Sequence, residues 1–306
     1  LWSRGLGDVY KRQAELRMRS FWMLGASFFF ALMAAFVKMG ASHFSFFELV
    51  GYRSLFGVIL IGGWIFATHR TIRTPYIFGH FKRSFIGTFS MTIWFYSMGF
   101  LPLATGLTLN YTNPIFMALF VFVMVLKRHA KIPWGLIIAT IAGFAGVVLM
   151  LHPTVETGQI KPALIGLCSG FLAAFVGLQI RELAKLHEPT WRIVFYYTSF
   201  GTLWGFIGHL IAHGSFSAIN MQSLLPLTGM GISATIAQLC MTQAYGVKNI
   251  LVSSVLQYSA IIFATIFGYF FFGDRISLDA GVGIAIIIAA GIVATLFIKK
   301  NQAKHG

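Results

Sequence analysis

The residues able to do chemistry in this chain sit inside long apolar blocks, and that placement decides which chemistry is open to them. Arg53 lies in Phe46–Phe66, a block whose one other charged residue is Glu48. At 1.5 Å per residue, Arg53 is about 10 Å along a helix from Phe46. A guanidinium at that depth in an apolar phase is expensive and defaults to a functional reading. It would act as a fixed cation that pairs with the carboxylate or phosphate of a solute. The competing reading is a side chain that snorkels outward or pairs with a neighbouring helix. Glu48 has a structural explanation of its own. Ser45-Phe-Phe-Glu48 has the spacing of a capping box, in which each side chain accepts from the other residue's backbone N–H. A carboxylate for coupling or gating is the alternative role. Glu48 and Arg53 are five residues apart, about 140° around a helix, which predicts no direct pair.

A second group of polar residues falls near the middle of Ala104–Leu126: Asn110, Tyr111, Asn113 and Pro114. Proline removes one helical hydrogen bond and clashes with the carbonyl four residues back, here that of Asn110. A kink and a freed carbonyl are therefore predicted at mid-depth, where irregular backbone is tolerated only against protein or a cavity. Asn110, Asn113 and Met117 share one face by helical spacing. Gln257 and Tyr258 lie near the middle of Ile250–Phe272, Gln238 and Thr242 are four apart in Leu224–Tyr245, and Trp94 and Tyr96 lie in Ser84–Leu101. The amides would hydrogen-bond a solute or bridge helices; the aromatic rings would stack on a flat solute or simply pack. The candidate solute-binding set is thus Arg53, Trp94, Tyr96, Asn110, Asn113, Gln238, Thr242, Gln257 and Tyr258, with Glu48 and Pro114 as candidates for coupling or gating.

The elements that must position these residues are transmembrane helices. Hydrophobic residues make up 57% of the 306 and charged residues only 10%, against about 25% charged in a soluble domain; mean hydropathy is +0.78. Ten blocks approach the roughly 20 apolar residues a span requires: Ser20–Met39, Phe46–Phe66, Ser84–Leu101, Ala104–Leu126, Pro133–Met150, Ala163–Gln179, Ile193–Ile211, Leu224–Tyr245, Ile250–Phe272 and Leu278–Ile298. Alternating their sides from a cytoplasmic N-terminus puts most of the 23 lysines and arginines in inside segments, Lys82 and Arg83 among them. That bias predicts a multi-pass inner-membrane protein with both termini in the cytoplasm. Lys38 is read as snorkelling at the outer end of the first span, and His209 as interfacial at the outer end of the seventh. Residues 1–13 differ in character from the rest of the chain, and Met18 opens a natural start. Residues 1–19 are accordingly set apart as a cytosolic tail or cloning scar, and 299–306 as a second tail.

Short strings repeat between the halves. MAAFV (33–37) matches LAAFV (172–176), YRSLFG (52–57) matches YYTSFG (196–201), and Gly135 and Gly281 open the fifth and tenth spans. An offset of 146 lays the fourth span over the ninth and puts Gln257 and Tyr258 over Tyr111 and Thr112. Five spans per half is an odd number, so the second copy enters the membrane upside down, a plan common among secondary transporters. The fold expected is all-α integral membrane: ten transmembrane helices as two inverted five-helix repeats, 20–150 and 163–298, around a central cavity. Ala139/Gly143, Ala142/Gly146, Ala285/Ala289 and Ala290/Ala294 are small-residue pairs that would join the halves or form a homodimer seam.

Over roughly Ser20 to Ile298 the sequence resembles the drug/metabolite transporter superfamily, of the EamA-like ten-helix kind. The resemblance is carried by FELVGYRSLFG (47–57), LPLATGLTLNYTNPIFMALF (101–120), AYG (244–246) and LQYSAIIFATIFGYFFFGD (256–274). It implies a helical basket with alternating access, moving an amino-acid-like, nucleotide-like or drug-like metabolite. Many members have Glu where the fourth and ninth spans end; here those places hold Lys127–Arg128 and Asp274.

Other classes fit poorly. The formal charge of +15 sits in short loops rather than on a basic face, which argues against nucleic acid as a partner. No phosphate-cradling Gly-rich loop with its Lys is present. The histidines are scattered, so a membrane enzyme lacks a convergent catalytic or metal set, and a channel lacks filter loops or charged rings. Neither a cofactor nor a metal is expected. The partners expected are a small-molecule solute and the bilayer. Cys168 and Cys240 are read as small buried thiols.

Overall fold

The computed structural model describes residues 20–37, 39, 44–98, 100–101, 103–129, 131–152, 155, 157–246, 250–273 and 278–303. The first tail, Lys38 and Asp274 lie outside the described residues. Among those residues every regular element is helical. The helices are α1 (Ser20–Val37), α2 (Phe46–Ala67), α3 (Ile77–Met98), α4 (Leu103–Asn110), α5 (Asn113–Lys127), α6 (Trp134–Leu151), α7 (Ile160–Lys185), α8 (Thr190–His213), α9 (Met221–Tyr245), α10 (Ile250–Leu256), α11 (Ser259–Phe272) and α12 (Leu278–Ala303). Among the described residues, eight segments are long and apolar enough to cross a membrane, with α4–α5 and α10–α11 each counted as one. The helices α3 and α8, with 22 and 24 residues, are long enough but more polar. The molecule is apolar outside: Phe66 and Ile211 are each 82% exposed. A water-facing surface does not carry so many bare side chains of this kind.

Two broken helices matter most for function. The α4–α5 break falls at Tyr111–Thr112 and the α10–α11 break at Gln257–Tyr258, separated by the 146-residue offset read from the sequence. Pro114 stands just inside the start of α5, where its missing N–H costs nothing. The second break forms without a proline. Each break leaves carbonyls to satisfy. The Thr112 hydroxyl donates to Leu109 O at 2.6 Å, and the Ser27 hydroxyl of α1 lies 3.4 Å from the oxygens of both Leu256 and Gln257. Gly170 of α7 lets that helix approach the first break; a Cβ there would lie 2.7 Å from Leu109 O.

Two seams hold the bundle. In the first, Gly146 and Gly283 bring the backbones of α6 and α12 together, and Gly143 accommodates the Tyr258 ring. The pairs Ala139/Gly143 and Ala290/Ala294 are used here, inside one chain, while Ala285 and Ala289 stay exposed. In the second, Gly201 and Gly205 of α8 lie against Ser54 and Gly51 of α2.

The ends of α2 and α8 carry a pair of clasps. The capping box at α2 forms: Ser45 N–H donates to Glu48 Oε2 at 2.9 Å and Glu48 N–H to Ser45 Oγ at 3.2 Å. Glu48 also receives Ser217 N–H at 2.7 Å and the Ser217 hydroxyl at 2.9 Å, from the segment between α8 and α9. His209 is buried beside it, 2.8 Å from Ser45 Oγ and 2.8 Å from Ser215 O. At the opposite end of α2, Glu188, which precedes α8, receives the Thr74 hydroxyl at 2.6 Å, His80 Nε2 at 3.0 Å and Arg192 Nη1 at 3.1 Å. Each carboxylate thus ties the start of one helix to a segment from the other half of the chain.

Burial disfavours the charged Glu188 carboxylate, but hydrogen bonds from Thr74, His80 and Arg192, with the Arg192 charge, outweigh it and hold its pKa below the ordinary 4.5. A depressed folded-state pKa contributes stability that is present above the unfolded value and is lost as pH falls through the folded one. Thermal stability is therefore expected to fall on acidification below about 4.5. Glu188→Gln should start less stable and flatten that dependence. Equal acid sensitivity of variant and parent in a pH series of melting curves would remove Glu188 from the account.

Cys240 is buried, but Cys168 is exposed on α7, contrary to the sequence expectation. An apolar neighbourhood in sequence does not mean the core in a protein whose exterior is also apolar.

Candidate functional site

The broken helices face a central cavity of about 620 Å³, to which every described helix except α10 contributes lining. That is within the usual size range of small-molecule sites. The lining reaches the ends of α1, α6 and α11 at the face where α2 begins, through Val37, Met150 and Phe272. Toward the other face the lining includes Arg83 of α3, three residues beyond His80 of the Glu188 clasp.

Six of the candidate residues line this space: Arg53, Trp94, Asn110, Asn113, Gln238 and Gln257. Asn110 Nδ2 donates to Ser169 Oγ of α7 at 3.2 Å. Gln257 Oε1 receives the Tyr245 hydroxyl at 2.8 Å. Gln238 is buried with Nε2 unpartnered. Trp94 Nε1 donates to Gly106 O at 3.1 Å, tying α3 to α4. The two breaks and α9 thus give the lining its amide groups, while Phe30, Ala31, Met33 and Phe267 give it apolar ones.

The remaining candidates lie elsewhere. Tyr96 is 41% exposed on the outside of α3, its ring 4.9 Å from that of Phe100. Residues two apart do not share a helical face, so Trp94 and Tyr96 cannot both look inward. Tyr258 is fully buried among Val147, Ile261 and Ile287. Thr242 is buried outside the lining, with its hydroxyl unpartnered. Glu48 is committed to the α2 clasp, and Pro114 is buried at the start of α5.

Sequence reasoning misses Arg83. FKRS reads as an inside loop, yet α3 begins at Ile77 and carries Arg83 into the cavity wall, 1% exposed. Its Cζ lies 4.0 Å from the centre of the Tyr197 ring, a cation–π contact. Tyr111, Met91 and Tyr197 also line the space. The available signal was spacing: Arg83, Gly87, Ser90 and Trp94 succeed one another at three or four residues, a helical face. Among the described residues no group of His, Cys, Asp or Glu is placed to hold a metal.

The EamA-like transporter family profile matches this chain twice, over residues 18–152 and 160–296. An uncharacterized transporter of Helicobacter pylori (strain J99) is 28% identical over 90% of this chain and 93% of its own length. The pseudopaline exporter CntI of Pseudomonas aeruginosa (PAO1) is 24% identical over 87% and 92%. The riboflavin transporter of Vibrio cholerae is 22% identical over 93% and 95%. A solved crystal structure shares the fold with a TM-score of 0.79 at 16% identity, over 93% of this chain and 99% of that one. With its apolar exterior and membrane-length helices, the chain is an integral membrane protein and belongs to the EamA-like transporter family.

Proposed function

We propose that the protein is a secondary carrier that moves a small organic solute across the inner membrane by alternating access. It has ten spans in two inverted five-helix repeats, 20–150 and 163–298, and both termini are cytoplasmic. The observation that carries this reading is the central cavity with a broken helix on each side. The breaks repeat at the 146-residue offset, and the family profile matches once in each half. Discontinuous helices at the repeat interface are where secondary transporters bind solutes. In this reading the structure is open toward the face where α2 begins, and the Glu188 clasp seals the end beside Arg83. Glu48 caps α2 and anchors Ser217, and Pro114 sets the first break.

The relatives named for what they carry include an S-adenosylmethionine uptake transporter of Rickettsia prowazekii, 24% identical, besides the pseudopaline exporter and the riboflavin transporter. They support a small-metabolite cargo and span both export and uptake. The test is a ligand-stabilisation screen of the purified protein, then flux in proteoliposomes. A bound solute at a hundred times its Kd raises stability by about 2.7 kcal/mol. The expected result is a stabilising solute whose flux saturates with concentration. Flux that rises without limit would indicate a channel, and chemical conversion of the solute an enzyme.

A further inference from the structure

Arg53 and Arg83 give the cavity two fixed positive charges, and among the described residues no carboxylate lines it to balance them. Three described acids are engaged elsewhere: Glu48 by Ser45 and Ser217, Glu188 by Thr74, His80 and Arg192, and Asp279 by His152 at 3.4 Å. Buried charges in proteins are paired, because an uncompensated one is strongly unfavourable in a low dielectric. We infer that the solute is an organic acid whose carboxylate or phosphate sits between the guanidinium groups of Arg53 and Arg83. This names the substrate class of the carrier cavity and rests on that reading.

The local geometry is arranged for an oxyanion. Arg83 is 1% exposed, yet its Nε and Nη1 have no hydrogen-bond partner. Its Cζ lies 4.0 Å from the centre of the Tyr197 ring, a contact that leaves Nε and Nη1 without a partner. Gly87, one turn along α3, leaves room for that side chain; a Cβ there would meet Arg83 Nη1. Arg53 Nη1 donates to the Met91 sulfur, and the Tyr197 hydroxyl points to the same sulfur at 3.8 Å. A thioether is a weak acceptor, and a carboxylate or phosphate oxygen displaces it with a charge-assisted bond. Met91 marks the spot where donors from α2 and α8 converge beside Arg83. The two cations repel each other, and an anion between them removes that repulsion. Elsewhere on the lining, Asn110 and the unpartnered amide nitrogen of Gln238 suit a neutral hydrogen-bonding group. The cargo therefore carries a negative charge and a polar neutral group.

The test uses the purified full chain at constant ionic strength, with matched probes at millimolar concentration: hippurate, its neutral amide hippuramide, phenyl phosphate and benzylamine. Hippurate or phenyl phosphate should raise the melting temperature, and hippuramide and benzylamine should not. Arg53→Ala and Arg83→Gln should each weaken acid binding by roughly tenfold or more. Arg83→Lys keeps the charge but loses the fork and should fall between. The acid-against-amide comparison on the unmodified chain needs no variant and stands even if one fails to fold. Stabilisation by the amide or amine equal to that by the acids, no stabilisation by either acid, or acid binding unchanged in both arginine variants would each overturn the inference. Saturable flux of a neutral solute without acid stabilisation would sink the organic-acid assignment and spare the carrier. Arginine-dependent acid binding with no flux of any bound acid would do the reverse.

Discussion

Gly205→Leu is expected to leave no recoverable folded protein. At this crossing α8 touches α2 backbone to backbone: a Cβ on Gly205 would lie 2.6 Å from Gly51 Cα and 2.8 Å from Phe47 O. These atoms belong to a helix and cannot swing aside as a flexible side chain can. Any added group must push the two helices apart, along a seam that also holds Gly201 against Ser54. Helices in lipid gain little from hydrophobicity when they associate and depend on close packing, so the loss is not recouped by burying the new leucine. Overpacking in a tolerant core costs about 1–3 kcal/mol, and a backbone contact lies at or beyond the upper end. Displacing α2 also moves Arg53. The measurement is the monodisperse fraction after detergent extraction. The exposed Leu203, 62% accessible on the same helix, provides the control: Leu203→Ala should leave yield unchanged. A folded Gly205→Leu protein with a normal melting curve would show that α2 and α8 are not held this way.

The second large effect is functional. Asn110→Leu should reduce transport at least about tenfold, the loss expected for about 1.4 kcal/mol of solute binding, while expression and melting temperature stay near those of the parent. The separation comes from the hydrogen bonds. Ser169 Oγ, which receives the Asn110 amide, also donates to Gly166 O at 2.6 Å, so removing the amide does not strand it. Gln257→Leu is the informative contrast. It would leave the Tyr245 hydroxyl without its acceptor in a buried setting, a cost of about 1–3 kcal/mol. It should therefore lower both stability and transport. If Asn110→Leu loses melting temperature in proportion to transport, its amide serves the helix contact rather than the solute.

Several of these features are legible in the chain without any tertiary structure. Membrane character comes from block length and charge, which are local sums. The capping box at Ser45 and Glu48 comes from spacing, and the first break from Pro114. The 146-residue offset pairs Gln257 and Tyr258 with Tyr111 and Thr112, but the break there, which no proline announces, emerges only in the structure. Arg53 stands out because a lone cation in an apolar block has few places to go.

Other features are hidden for definable reasons. Arg83 adjoins Lys82, and a basic pair at the edge of an apolar block reads as a loop; only the start of α3 at Ile77 turns it into a cavity residue. Glu188 sits in a polar turn, LHEPT, and nothing local says that Thr74 and His80, more than a hundred residues away, will close on it. Trp94 and Tyr96 pair by proximity in sequence, although helical geometry alone separates their faces. Sequence by itself determined that the chain is built of long apolar segments, that the one carrying Pro114 is interrupted, and which polar residues those segments contain. Tertiary structure alone decided which way each segment is rotated, because in lipid the outside is as apolar as the packed interior, and only contacts between helices tell the two apart.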